Sequence, residues 1–460
     1  MEPPYSRRRL LASAGAAASI TAAGCVGGSE DGSPGPPEAI ESPYDLSVTH
    51  DIEAWDGYDP DWEPPETAPT AARLETETIV ENLEIPWDVA FAPDGEVFLS
   101  ERVGRISRYR GGERESVVEL EGVIDHASSF DGDGSEWWGG GSEGGLLGIA
   151  LHPNYPDVPV LYAFYTYGAG TDEYRNRLAC YDVDDGYEET VVIDNVPGHR
   201  IIHNGARLAF GPRNYLWVTT GDADLTDRAR DTGSLAGKVL RLEPDGTTPA
   251  DNPGLDDPRV FSYGHRNPQG IAWLPDGTPL ATEHGPAARD EIIALEAGGD
   301  YGWPSVRGAP GDDDHDGYAD RDDVRAPLVH TTEETWAPSG CVFYTGDSVP
   351  ALRNRLLVGG LASQRLNVVS VYPSTAPDIG GRRHTRAWLG SAFEAVSHGL
   401  LEHDLVRPRF DLGRIRHVEA GPDGGLYAIT SNRDGRSDRP TEDAFPRAAD
   451  DRLVRIVQSA

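Results

Sequence analysis

One pattern recurs along this chain and limits what it can fold into: an apolar run, a turn built on Pro-Asp-Gly or a close variant, and a second apolar run. It appears as VAFAPDGEVFLSE, IALHPNYPDVPVLYAFY, LAFGPRNYLWVTTGD, IAWLPDGTPLATEH and VEAGPDGGLYAIT. The marker prolines Pro93, Pro153, Pro212, Pro275 and Pro422 lie 60, 59, 63 and 147 residues apart. The long step spans two repeats, and a degenerate copy, CVFYTGDSVPALRNRLLVGG, falls inside it around Pro350. Each copy reads as a β-hairpin, because Pro presets the turn and Gly supplies the left-handed residue. A lone hairpin buries too little to be stable, whereas six small sheets packed radially cover one another and leave few exposed edges. The expectation is an all-β, six-bladed propeller of four-stranded antiparallel sheets, one domain over residues 74–458. LETETIVENL at 74–83 and DRLVRIV at 451–457 are expected to pair in one blade and seal the ring. No stretch has the period of an amphipathic helix of any length.

Before the repeats, Ser6-Arg7-Arg8-Arg9-Leu10-Leu11 precedes an Ala-rich apolar run ending at Gly24 and Cys25. A twin arginine, a short weakly apolar run and small residues at its end read as a Tat export signal over residues 1–24. The run is too short to span a bilayer. Small residues before Cys25 resemble a lipobox, with Ala22 where a bulky aliphatic is usual, so Cys25 is the expected lipid attachment point, or else an incidental cysteine after a plain cleavage site. The expected location is the outer face of the cell membrane. Residues 25–73, rich in Gly, Ser, Pro and acid, read as a solvated spacer in which Trp55 and Trp62 stand alone.

The formal charge is −37, with a single lysine, Lys238, in 460 residues. Such a surface disfavours nucleic acid and anionic membranes, and suits a protein kept soluble in high salt, as in a halophile. Cys180 and Cys341 sit in apolar runs and read as two buried free thiols, with a disulfide between them the alternative.

The densest polar chemistry lies at 260–306. Arg266 and Asn267 precede Pro268, which biases them to a strand-to-loop corner, and Gly285-Pro286 forces a bend that can turn carbonyls outward. Arg266 offers a planar fork suited to carboxylates or an enolate oxygen. Taken singly, each is read first as structural, Arg266 as an ion pair and Gly285-Pro286 as a turn. His203, in IIHNGARLAFGP, ends an apolar run before Asn204-Gly205, and an imidazole there can take an alcohol proton near neutral pH; taken alone, as one of 13 histidines, it reads as structural. Arg414 and Arg416, in GRIRHVEAGPDG, fall on one face of a strand, as a carboxylate clamp or a surface salt-bridge pair. GDDDHDGYADRDD carries Asp312, Asp314, Asp316, Gly317, Asp320 and Asp323 at the spacing of an EF-hand-type loop, with no flanking helices and Asp at its last position; a solvated acidic loop is the alternative.

GHRNPQG, TEHGPAARDEI and GGDYGWP together resemble the soluble quinoprotein sugar dehydrogenases, propellers that bind pyrroloquinoline quinone (PQQ) and calcium. HNGARLAFGP resembles the family segment carrying the catalytic histidine, with Ala206 where a second Gly is usual. The resemblance implies that His203 is the base, that Arg266 and Asn267 lie against the quinone, and that Arg414 and Arg416 hold its carboxylates. It implies that Glu143, before GGLLGIALHP and commonly Gln in the family, lines the cofactor. Gly285 and Pro286 carbonyls would hold the active-site calcium, with Glu291 and the Tyr301 carbonyl at a second. GGLASQRL has Ala362 near the place where some relatives carry a lysine, which is closer to the aldose sugar dehydrogenase branch. The implied activity is oxidation of an aldose at its anomeric hydroxyl to a lactone, with electrons leaving to a membrane quinone, blue-copper or cytochrome-type carrier. Two other readings compete: a calcium-dependent lactonase, needing a cage of Glu, Asn and Asp side chains, and a non-catalytic propeller binding a glycan or a protein.

Overall fold

The computed structural model describes residues 35, 37–69, 73–120, 122–123, 142–170, 173–307, 316–373, 375–384, 393–400, 412–436 and 445–458. The leader and Cys25 lie outside them, as do Asp312 and Asp314 of the acidic loop. Six antiparallel sheets stand in a ring, and their inner strands are Pro86–Phe91, Leu146–Leu151, Gly205–Phe210, Pro268–Trp273, Pro338–Tyr344 and Ile415–Ala420. Each inner strand packs against the next, and the sixth against the first, so the ring is closed. Blades one to six follow this order. Five are four-stranded; the fifth gains a short edge strand, Arg382–His384, outside the four expected. Among the described residues the only helix is a few 3₁₀ turns of three residues.

The turn chemistry explains the hairpins. Gly95, Gly277 and Gly424 adopt φ of 90°, 90° and 70°, and Asn214 takes the same role in blade three at 57°. A Cβ costs energy in this region, which Gly avoids and Asn tolerates. The degenerate repeat forms the inner hairpin of blade five, Pro338–Tyr344 against Arg355–Gly360, with Pro350–Leu352 as a 3₁₀ turn. Leu74–Val80 pairs with Leu453–Gln458, Leu74 opposite Gln458, so the last blade takes one strand from the start of the domain. Strands such as Val97–Glu101 and Leu216–Thr220 are buried along their whole length, because both faces of a blade meet a neighbour. Six apolar clusters result, one in each gap between blades. Cys180 and Cys341 are buried free thiols, both pushed up to about 12 by burial.

Residues 37–69 differ from the expected solvated spacer. They run as a strap over the face that carries the hairpin turns. The Ile40 N–H donates to the Asp245 carbonyl (2.9 Å), and Asp59 N–H to Pro275 (2.9 Å). Leu46 is buried in the cluster between blades two and three, and Trp62 packs edge-on against Phe343 at 5.2 Å. Tyr372 donates to the Pro65 carbonyl at 2.7 Å. The apolar residues are spaced singly because each drops into a separate groove, so no periodicity announces them. Of the acidic loop, Asp316 and Asp323 pair with Arg321 at 3.1 and 2.7 Å, so these carboxylates balance a guanidinium.

Candidate active site

The site lies on the face opposite the strap, where inner strands begin and second strands end. His203 sits just before the inner strand of blade three in the left-handed region, at φ 58°. This places its ring over the channel instead of in the strand. After Asn204 the chain returns to positive φ, at Gly205 (63°) and Ala206 (78°). A Cβ at Gly205 would collide with the Thr220–Gly221 backbone, so that position takes only glycine. Ala206, the departure from the family's glycine, holds a conformation that costs an L-residue about 1 kcal/mol.

The His203 Nδ1 lies 2.7 Å from Asp222 Oδ1, and the Trp303 indole N–H donates to Asp222 Oδ2 at 2.8 Å. A carboxylate only accepts, so Nδ1 carries the proton and Nε2 presents its lone pair. His203 keeps one-tenth of its side chain exposed, while Asp222 is fully buried. Asp222 follows the second strand of blade three, in TTGD, a position with no signal of its own.

Glu143 joins three blades. Its Oε2 accepts from the His203 N–H (3.0 Å) and from Asn267 Nδ2 (3.2 Å), and its Oε1 accepts from Arg436 Nη1 (2.9 Å). Burial pushes the carboxyl up, but Arg436, His284 and His203 outweigh it and hold it at about 2. Asn267 completes the tie by accepting from the Gly205 N–H at 3.0 Å. Its amide is thus engaged within the protein on both atoms. Together Glu143 and Asn267 set where His203 stands.

Arg266 lies over Trp303 at 5.4 Å, gives Nη1 to the His284 carbonyl (3.0 Å), and leaves its buried Nε without a partner. Its backbone N–H bonds Glu283, whose other oxygen meets His265 Nδ1 at 2.9 Å. Arg414 and Arg416 reach the same acid from one side of their strand. Arg414 grips Asp434 through Nε and Nη2 (3.0 and 2.7 Å) and gives Nη1 to the Leu361 carbonyl (3.0 Å). Arg416 lies over Trp87 at 4.2 Å, gives Nη1 to Gln269 (3.0 Å), and also has a buried, unpartnered Nε. Burial, offset by Asp434, brings it down to about 9. His284 is a third such group: its Nε2 is buried without a partner, and burial keeps the ring neutral, at about 3, within the fields of Glu143, Arg266, Arg416 and His203. Three orphaned buried nitrogens around one channel mouth suit a polyanionic, hydrogen-bonding ligand, since leaving them unpaired costs about 1–3 kcal/mol each.

Gly285, Pro286, Glu291 and Tyr301 line one small cavity of about 20 Å³ with Arg266 and Glu283. A Cβ on Gly285 would collide with the Ala288 and Arg289 carbonyls, and Asp290 clasps the Gly285 N–H at 3.0 Å. The Pro286 carbonyl accepts from the Ala288 N–H at 2.6 Å and keeps a second lone pair. Glu291 stands directly across the sheet from Glu283, a like-charge pairing that disfavours ionisation. Burial first and Glu283 second raise Glu291 well above the carboxylate range, and its Oε1 accepts from the Tyr318 hydroxyl at 2.6 Å. Among the described residues no three His, Cys, Asp or Glu side chains gather as a metal-ligand set, so a cation here would rest largely on carbonyl oxygens.

Sequence reasoning missed Asp222, Trp303, Trp87, His284, Asp434 and Arg436. His284 and Trp303 lie inside the motifs TEHGPAARDEI and GGDYGWP, and Trp87 is in the inner strand of blade one; Asp222, Asp434 and Arg436 lie in loops after second strands, where their neighbours are set by the ring.

The glucose/sorbosone dehydrogenase family profile matches residues 83–439. The chain is 29% identical to an aldose sugar dehydrogenase of Escherichia coli, covering 79% of this chain and 92% of that one. Among solved structures it resembles an oxidoreductase of Thermus thermophilus described as a glucose dehydrogenase, with 34% identity, a TM-score of 0.64, and coverage of 84% of this chain and all of that one. It also resembles the PQQ-bound aldose sugar dehydrogenase of Streptomyces coelicolor, with 28% identity, a TM-score of 0.62, and coverage of 86% and 100%.

Proposed function

Because the chain belongs to the glucose/sorbosone dehydrogenase family, we propose that it is a PQQ-dependent dehydrogenase that oxidises the anomeric hydroxyl of an aldose to the lactone. The observation that carries this reading is the His203–Asp222 pair beside the unpartnered nitrogens of Arg266, Arg416 and His284. Those nitrogens and the Arg416–Trp87 stack fit a flat tricarboxylate, and Arg414, Glu143 and Asn267 hold the frame around it. Gly285 and Pro286 would offer carbonyls to a calcium ion there, and Glu291 with the Tyr301 carbonyl to a second. When bound, PQQ supplies the electrophilic quinone that accepts the hydride.

The protein's own part is positioning and proton transfer. His203 Nε2 takes the hydroxyl proton, and Asp222 stabilises the imidazolium that forms and holds the ring's orientation. Arg266, desolvated against Trp303, would stabilise negative charge developing on an acceptor bound beside it. An external carrier, a membrane quinone or a blue-copper or cytochrome-type protein, would take the electrons. Export by the Tat route and anchoring through Cys25 would put the enzyme on the outer face of the membrane of a halophile.

The test is reconstitution of the apo-protein with PQQ and calcium in high salt, following dye reduction with a panel of aldoses. Activity that requires both additions and disappears in His203→Ala is expected. A spectroscopic titration showing no PQQ binding would overturn the proposal.

A further inference from the structure

Lys238 is the chain's single lysine, yet it is fully buried. It opens the third strand of blade three, at the site face, directly after the loop that begins at Asp222. Its Nζ donates to the carbonyls of Arg228 (2.9 Å), Ala229 (2.8 Å) and Ala236. An ammonium has three donors and no acceptor, and here it meets three carbonyl oxygens. Two of these come from the end of the 3₁₀ turn Thr226–Arg228, and Nζ takes a second lone pair there, since the Arg228 carbonyl also accepts from the Asp231 N–H (3.1 Å).

The same loop braces both halves of the site. Ala229 also accepts from the Gly264 N–H (2.8 Å), Gly237 accepts from His265 (3.2 Å) and donates to Gly221 (2.8 Å), and Asp222 N–H bonds the Arg266 carbonyl (2.8 Å). A Cβ at Gly237 would strike the His265 carbonyl, so the two segments are in direct contact. The loop therefore joins Asp222, which orients His203, to the corner carrying Arg266. Burial pushes the Lys238 amine down to about 7, while Asp231, Asp257 and Asp300 act in the opposite direction. A neutral amine has only two protons for three carbonyls, so the geometry calls for the charged form.

We infer that Lys238 is a positioning residue, an internal cation that gathers the 226–237 loop and so fixes the His203–Asp222 pair against Arg266. The functional half of this inference rests on the reading of that pair as the reacting site; the structural half does not. In an acidic, arginine-rich chain the position needs a compact point charge, which a planar guanidinium cannot supply.

The single lysine makes the test direct. In apo-protein labelled with ¹⁵N-lysine, one ammonium resonance, slow to exchange with water, is expected at about pH 6, below the value of about 7 to which burial brings the amine. A fast-exchanging or neutral Nζ would overturn the pinning, whatever happens to any variant. Lys238→Met is then expected to shift or lose the downfield His203 Nδ1–H resonance. It should lower kcat about ten- to hundredfold through misplacement of the reacting groups, with KM for the sugar changing much less. An unmoved Nδ1–H signal, or kcat within about twofold of wild type, would overturn the positioning role. If wild type shows no PQQ-dependent dye reduction, the proposed function fails, and the two resonances still decide what Lys238 holds.

Discussion

Replacing Glu143 with Gln separates charge from shape at the residue that ties three blades. The amide oxygen of Gln can still accept from the His203 N–H and Asn267, both of which use one carboxylate oxygen. Its NH₂ would then face Arg436, which now bonds the other oxygen at 2.9 Å. Lowering the carboxyl from its ordinary 4.5 to about 2 corresponds to about 3 kcal/mol in favour of the charged form. Burial alone would act against the charge, so the cationic surroundings must exceed it. The folded value is depressed, so this stabilisation is fully present above pH 4.5 and is lost as pH falls towards 2. Glu143→Gln should therefore lose about 2–3 kcal/mol at pH 7, and the gap to wild type should close between about pH 4.5 and 2. Denaturant unfolding of both proteins at several pH values in fixed high salt measures it. Because His203 and Asn267 keep an acceptor, kcat should fall by no more than about tenfold. A stability difference that stays constant from pH 7 to pH 3 would refute the reasoning.

Asp222→Asn should lower kcat by about 10²–10⁴-fold, since an amide can leave the wrong nitrogen of His203 protonated; steady-state dye reduction checks this, and PQQ titration should show nearly unchanged affinity. Gly285→Ala should weaken PQQ binding in the presence of calcium by at least about tenfold, because the new methyl displaces the Ala288 and Arg289 carbonyls; fluorescence titration reads it, and an unchanged affinity would show that this bend does not support the cofactor. Leu46→Ala should cost about 2–4 kcal/mol in denaturant unfolding. A loss below about 0.5 kcal/mol would mean that the strap is not part of the folded unit.

Much of this architecture is carried by local signals. Pro-Asp-Gly at a spacing near 60 residues needs left-handed glycines in hairpins, and the structure has them at Gly95, Gly277 and Gly424. The closing pair, Leu74–Val80 with Leu453–Gln458, was equally readable, because two apolar runs at the ends of a ring have each other as partners. His203, Arg266, Arg414 and Arg416 could be singled out because each sits at a strand end beside turn residues or in a motif. The strap could not be read this way. Its composition is that of a soluble linker, and the few apolar residues that dock it make sense only against grooves formed by other blades.

The sequence by itself determined the number of blades, their antiparallel hairpins, and the set of polar residues placed at the inner-strand starts. These follow from φ preferences and apolar alternation over a few neighbouring residues. Only the tertiary structure decided that Asp222 reaches His203, that Glu143 meets Asn267 at 3.2 Å across 124 residues, and that Arg436 pairs with Glu143 across 293. It also decided that the one lysine lies inside the protein, with three carbonyls around it. The physical reason is that local rules act through bonds close along the chain, whereas a buried charge is held by whatever partners the closed ring brings near it.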